Sequence, residues 1–291
     1  MATISQWVAG ARPRTLPAAL APVAVGTGSA AGLGHLDAGL ALLALLVAVF
    51  LQVGVNYAND YSDGIRGTDA ERVGPVRLVG QGLATPALVK YAALACFGLA
   101  CLAGLALMGL SGVTWLLGVG IAAVLSAWFY TGGPRPYGYA GLGEVFVFVF
   151  FGLVATGCTA YTQVRTTDTG TWAGAVGIGS IITAVLVVNN LRDIAGDRVS
   201  GKRTLAVRMG DRATRWCYVA LMALPAGCSV LAALTGHPWA LPSLLGLVPA
   251  VKPCRSVLGG AQGPALVAVL GATGLVSLTY GLTLAIGLAA R

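Results

Sequence analysis

The chain is predicted to be an all-α integral membrane protein, with about nine transmembrane helices in a single bundle. Three observations predict this. Hydrophobic residues make up 57% of the 291 and charged residues only 10%, with a mean hydropathy of +0.82, whereas a soluble domain carries ~25% charged residues. Apolar runs near the ~20 residues that a bilayer requires recur along the whole length. Glycine, at 42 residues, is abundant, as where helices pack in lipid through small side chains. In hydrocarbon each run has to be a helix, because an open structure leaves its backbone polar groups unsatisfied. The whole of 1–291 reads as one domain.

In chain order, the expected spans are 16–33, 38–58, 87–109, 112–130, 141–163, 172–191, 214–235, 238–251 and 265–288. The preceding MATISQWVAGARPRTLP lacks the ordered basic, apolar and small-residue regions of a signal peptide, so the first span is expected to be retained. The second runs into NYANDYSDGIRGTD, the fourth into YTGGPRPYGY, and the sixth into NNLRDIAGD. Pro238, Pro242 and Pro249 fall in the short eighth span and make it the weakest helix of the set.

The positions of the charges test this topology. Of the 18 Lys and Arg, 16 fall on the side of the N-terminus, including Arg12, Arg14, Arg66, Arg72, Arg77, Lys90, Arg135, Lys252 and Arg255; only Arg165 and Arg291 fall opposite. By the positive-inside rule that side is cytoplasmic, which puts the C-terminus outside the cell. The net charge of +8 is therefore accounted for by inside loops, and nucleic acid is not an expected partner. The six cysteines, Cys96, Cys101, Cys158, Cys217, Cys228 and Cys254, lie mostly in apolar runs without metal-like pairing and read as small core residues. His35 and His237 fall in outer loops and are not expected to be catalytic.

Two acidic stretches open to the cytoplasmic side. At ~100° per residue, Asn56, Asn59, Asp60 and Asp63 share one helical arc, and so do Asn189, Asn190, Asp193 and Asp197. Carboxylates clustered at a membrane need a compensating cation. An oxygen-only ligand set without His or Cys favours Mg2+, which joins a few carboxylates to substrate phosphates. Arg66, Arg72, Arg77, Arg192, Arg198, Lys202 and Arg203 lie in the adjoining loops, so acidic faces and basic loops together suit a metal and diphosphate site. The competing readings are salt bridges on a solvated face, a transporter with intramembrane acids, and CDP-alcohol phosphotransfer. The last expects its acids in one stretch rather than in two distant ones.

The two stretches resemble the aspartate motifs of the UbiA superfamily of intramembrane prenyltransferases, N-x3-D-x3-D and D-x3-D. Asn56, Asp60, Asp193 and Asp197 match, while Asp63 arrives one residue early, with Gly64 in the expected place. The segments ARPRTLPAALAPVAVGT, GVNYANDYSDGIRGTD, YTGGPRPYGYAGLGEVFVFVFFG and NNLRDIAGDRVSGKRTLAVRMG resemble the branch of that superfamily that prenylates 1,4-dihydroxy-2-naphthoate in menaquinone synthesis.

The resemblance implies a membrane enzyme that binds a polyprenyl diphosphate on Mg2+, with two ions held by Asn56, Asp60, Asp63, Asp193 and Asp197. Its tail would leave towards membrane lipid. Candidates for the substrate's polar groups are Asn59, Asn189, Asn190, Arg192, Lys202 and Arg203, then Arg66 and Arg135. Tyr130, Tyr137 and Tyr139 could face an allylic cation or anchor at the interface. Arg12, Arg14 and Arg135 remain open as holders of an acceptor carboxylate. Glu144, the one acid inside an apolar run, is either an acceptor-side base or a snorkelling side chain. The expected location is the cell membrane; oligomeric state is left open.

Overall fold

The computed structural model describes residues 2–67 and 76–290; Asp69, Glu71, Arg72 and Arg291 lie outside the described residues. The described chain is helical almost throughout. Helix α1 (Ile4–Ala11) starts at a capping box, where Thr3 and Gln6 satisfy each other's backbone N–H. A short turn at Pro13–Thr15 leads into α2 (Pro17–Gly32), followed by α3 (Ala38–Ile65), α4 (Pro86–Ser111) and α5 (Leu116–Phe129). After a 3-10 turn at Tyr137–Ala140, α6 (Gly143–Val147), a π-helical stretch Phe148–Val154 and α7 (Ala155–Val164) form one continuous helix. Then come α8 (Thr169–Val199), α9 (Leu205–Leu234), a 3-10 helix Pro238–Ala250, α10 (Val251–Leu258) and α11 (Pro264–Ala289).

Among the described residues, six helices are long and apolar enough to cross a membrane: α3, α4, Gly143–Val164, α8, α9 and α11. The other three expected spans coincide with shorter elements, 16 residues in α2, 14 in α5 and a 13-residue 3-10 helix. The prolines at 242 and 249 inside that last element account for its form. Each lacks an N–H, and the tighter 3-10 winding rises ~2.0 Å per residue, so thirteen residues reach about 26 Å. Helix α9 begins at Leu205, ahead of the expected seventh span 214–235, and is broken at Gly210, whose φ of 79° only glycine adopts freely.

Helix α8 is the central post. In its most apolar window 78% of residues are buried within the protein, against 22–44% for the other five long helices. It is correspondingly apolar on all sides, as a helix surrounded by others must be. Its N-terminal end is capped by Asp168, which accepts from Thr171 N at 2.8 Å and lies 2.7 Å from His237 Nε2. Burial alone would raise the Asp168 carboxyl, but the hydrogen bonds from Thr171 and His237 outweigh it and hold the pKa below the ordinary value. His237 thus packs against the cap of α8.

Small residues set the helix spacing. A Cβ on Gly152 would stand 2.7 Å from Gly179 Cα, where the π-helical stretch crosses α8, and one on Gly32 would stand 1.9 Å from Leu288 O, where α2 crosses α11. Gly32→Val is therefore expected to force α2 off α11 and lower the melting temperature in detergent by roughly 5 °C or more. An unchanged melting curve would contradict that close crossing.

Candidate active site

A chamber of about 1250 Å3 lies among α2, α3, α4, α5, the Gly143–Val164 helix, α8 and α11. The helical period of α3 turns Ala44, Val47, Ala48, Leu51, Val55, Asn56 and Asn59 onto its wall, so the lining changes from apolar to carboxamide towards the end of that helix. On the Gly143–Val164 helix the lining residues come in adjacent pairs that repeat every four, Phe146 with Val147, Phe150 with Phe151, Val154 with Ala155 and Cys158 with Thr159. In a regular α-helix the fourth of these would have turned about 120° away after twelve residues. The wider winding at Phe148–Val154 keeps all four on the chamber.

One wall of the chamber is aromatic. Tyr130 meets Tyr137 with ring centres 5.6 Å apart, Tyr137 stacks on Phe146 at 4.0 Å, and Phe146 faces Phe150 at 6.2 Å. Tyr137 donates its hydroxyl to Ser126 O at 2.9 Å, and burial raises its pKa, so it stays a neutral phenol. Phe146 and Phe150 were not singled out from the sequence, although both stand in the quoted aromatic run four residues apart.

A second, polar cavity of about 60 Å3 adjoins the chamber and shares Arg12, Asn59, Tyr130 and Asn189 with it. It also draws Asp63 from α3, Asn190 and Asp197 from α8, Lys202 and Thr204 from the α8–α9 turn, and Arg77, Thr131 and Tyr139 from loops. Two carboxylates thus face three cations. Asp63 Oδ1 accepts from Lys202 Nζ at 3.1 Å and from the Tyr139 hydroxyl. The Lys202 ammonium also stands 4.5 Å from the centre of the Tyr139 ring. Burial, then the charge of Asp63 and the hydrogen bond to it, push the Tyr139 phenol up despite Arg66 nearby, so it stays a donor. Arg66 donates to Thr131 O and Gly133 O, which ties the end of α3 to the loop after α5. Thr131 and Thr204 are site residues that no local pattern marked, whereas Arg77 is one of the loop cations named from the sequence.

The remaining expected residues lie elsewhere. Both Asp60 oxygens accept backbone N–H groups, from Leu78 at 2.6 Å and Val79 at 3.1 Å, and Asp60 lines neither cavity. Asp193 is gripped by Arg192 Nε and NH2 at 2.7 and 2.8 Å and also lines neither. Asn56 donates to Ala11 O and Thr15 Oγ at 2.9 and 3.0 Å, docking the N-terminal turn beside the chamber. Arg192 and Arg14 line the chamber but not the polar cavity, while Arg135 and Arg203 are exposed and line neither. Glu144 is buried and lines neither of these two cavities; its Oε1 accepts from Asn190 Nδ2 at 2.9 Å.

Among the described residues, no three His, Cys, Asp or Glu side chains are grouped closely enough to hold a metal ion by themselves. The donor set of the polar cavity nevertheless fits Mg2+. It offers oxygen from Asp63 and Asp197 and from the carboxamides of Asn59 and Asn190, with no sulfur or imidazole. Mg2+ commonly takes one or two carboxylates and completes its shell with water and substrate phosphate. The excess of cations lining the same cavity suits that phosphate.

The model of the UbiA prenyltransferase family matches residues 19–259, most of the chain. The chain belongs to that family. It is 52% identical, over 99% of its length and 98% of the relative's, to the 1,4-dihydroxy-2-naphthoate octaprenyltransferase of Mycobacterium tuberculosis. To the Escherichia coli protein of the same name it is 41% identical, over 74% of this chain and 72% of that one. Among solved structures, the UbiA homolog from Archaeoglobus fulgidus bound to GPP and Mg2+ superposes with a TM-score of 0.69 at 15% identity, covering 98% of this chain and 100% of that one. The apo UbiA homolog from Aeropyrum pernix K1 gives 0.70 at 14% identity, covering 92% and 96%. At such identities these two speak for the family's fold.

Proposed function

We propose that the protein transfers a polyprenyl group from polyprenyl diphosphate to 1,4-dihydroxy-2-naphthoate, with loss of diphosphate and CO2, giving demethylmenaquinol for menaquinone synthesis. The observation that carries this reading is the junction of a small, charged cavity with a large apolar chamber, which suits an amphiphile with an anionic head and a hydrocarbon tail. The naphthoate prenyltransferase relatives support the acceptor.

In this reading Asp63 and Asp197, with Asn59 and Asn190, hold two Mg2+ ions, which neutralise charge on the departing diphosphate. Lys202, Arg12 and Arg77 bind the diphosphate oxygens and stabilise the charge that grows as the carbon–oxygen bond breaks, its electron pair leaving with the diphosphate. Tyr130, Tyr137 and Phe146 present π faces to the allylic cation, and the apolar chamber keeps water from it. The acceptor ring forms the new carbon–carbon bond. Overall it exchanges its carboxylate, lost as CO2, for the prenyl group, so no net proton is left to remove. That balance agrees with Glu144 lying outside both cavities, bonded to Asn190.

The protein is read as one domain with nine crossings of the plasma membrane, the 26 Å reach of Pro238–Ala250 serving as the eighth. The N-terminus and the polar cavity are then cytoplasmic, as the distribution of Lys and Arg supports. The test is prenyl transfer by the purified protein in detergent, from farnesyl diphosphate to 1,4-dihydroxy-2-naphthoate or 4-hydroxybenzoate. A prenylated, decarboxylated naphthoquinol is expected with Mg2+ and none with EDTA. A preference for hydroxybenzoate would overturn the acceptor, and product formation unaffected by EDTA would overturn the metal site.

A further inference from the structure

Of the three cations that line the apolar chamber, Arg12 also lines the polar cavity and Arg14 is exposed; Arg192 is neither. Its side chain is 3% exposed, and its fork is only partly used. Nε and NH2 bind the Asp193 carboxylate, and NH2 also donates to Asn189 Oδ1 at 2.9 Å. NH1, on the remaining arm, is buried without a hydrogen-bond partner. A buried donor left unmade is costly, and a guanidinium donor more so than a neutral one.

We propose that Arg192 anchors the carboxylate of the aromatic acceptor, so that the chamber holds an anion subsite separate from the diphosphate cavity. The proposal rests on the acceptor reading above. A naphthoate entering an apolar chamber carries a charge that it cannot leave unsolvated, and it requires a charge-assisted donor. The unused arm of Arg192 requires an acceptor. Asp193 makes the site possible: it offsets the guanidinium charge while the chamber is empty and locks the planar fork from one side, leaving NH1 for the ligand. Asn189 links the two subsites, since it accepts from Arg192 and lines both cavities. An acceptor held there by its carboxylate stands beside the diphosphate end of the donor. In this assignment Asp193 is a positioning residue for Arg192.

The test compares binding of two unreactive ligands to the full-length protein in detergent by titration calorimetry. The ligands are 1-hydroxy-2-naphthoate and, with Mg2+, farnesyl thiodiphosphate. Arg192→Met is expected to weaken the naphthoate about 30-fold, the loss of a charge-assisted hydrogen bond, and to leave the thiodiphosphate within about 2-fold. 1-Naphthol, which lacks the carboxylate, should bind wild type and variant alike. Because Arg192→Met removes the guanidinium that binds Asp193, the Arg192→Met, Asp193→Asn double variant is measured alongside and should reproduce the result. Weakened thiodiphosphate with unchanged naphthoate would assign Arg192 to the diphosphate and overturn the proposal. Wild-type protein that binds thiodiphosphate but neither naphthoate nor naphthol would instead remove the acceptor reading, and the subsite with it.

Discussion

Asp63→Asn is expected to lower prenyl-transfer turnover by about 10^3-fold while the protein remains folded, the scale seen when a charged group that stabilises a transition state is removed. Asp63 is 3% exposed and projects into the polar cavity, where Lys202 and Tyr139 share its Oδ1. The substitution keeps the side chain's shape but leaves one carboxylate against three cations. Mg2+ depends on anionic oxygen, so the ion and the diphosphate should both bind less well. Asp197→Asn should behave alike, and the double variant should cost little more than either single one, because both carboxylates serve one metal and diphosphate unit. Asp60 offers the contrast. Its oxygens are committed to Leu78 N and Val79 N, so its loss should appear first as a lowered melting temperature from the freed loop. Initial rates at saturating Mg2+, with melting curves on the same samples, separate the two. Wild-type turnover in Asp63→Asn would sink the metal site.

That contrast also marks where sequence reasoning reaches its limit. Helical periodicity puts Asp60 and Asp63 in one arc, and Asp193 and Asp197 in another, and in each pair one member reaches the cavity. The other is captured by a partner that periodicity does not encode: two amides from a loop eighteen and nineteen residues away, or the neighbouring Arg192. Long spans were legible because lipid demands unbroken apolar helices. The short ones were legible as apolar runs but not as a 16-residue helix in α2, a 14-residue helix in α5, and a 3-10 helix, which depend on local prolines and on neighbours. Tyr130, Tyr139 and Lys202 were found through segments that resemble the family. Thr131 and Thr204 come from ordinary loops and join the cavity only through the fold. The π-helical winding that aligns Phe146 with Phe150 and Val154 leaves no composition signal at all, although it decides which ring faces the chamber.

Ala48→Trp is expected to turn the enzyme against long donors. Ala48 lines the chamber eleven residues before Asn59 on the same helix, which puts it about 16 Å from the polar cavity along the axis. A tryptophan there should let dimethylallyl and geranyl diphosphates react normally, since their short tails end before it, while kcat/KM for an octaprenyl donor falls by about 10^2-fold, or ~2.7 kcal/mol. Lost hydrophobic burial would not by itself produce this effect. A displaced tail enters lipid, which is as apolar as the chamber wall, so the penalty has to come from steric refusal of the bound pose. Chain-length dependence therefore reports the tail's path. If the tail runs the length of α3, the variant discriminates steeply by length, and its activity with short donors certifies that it is folded. If the tail leaves sideways between helices near the head group, Ala48→Trp should treat all donors alike, and the chamber's far end would have to hold something else.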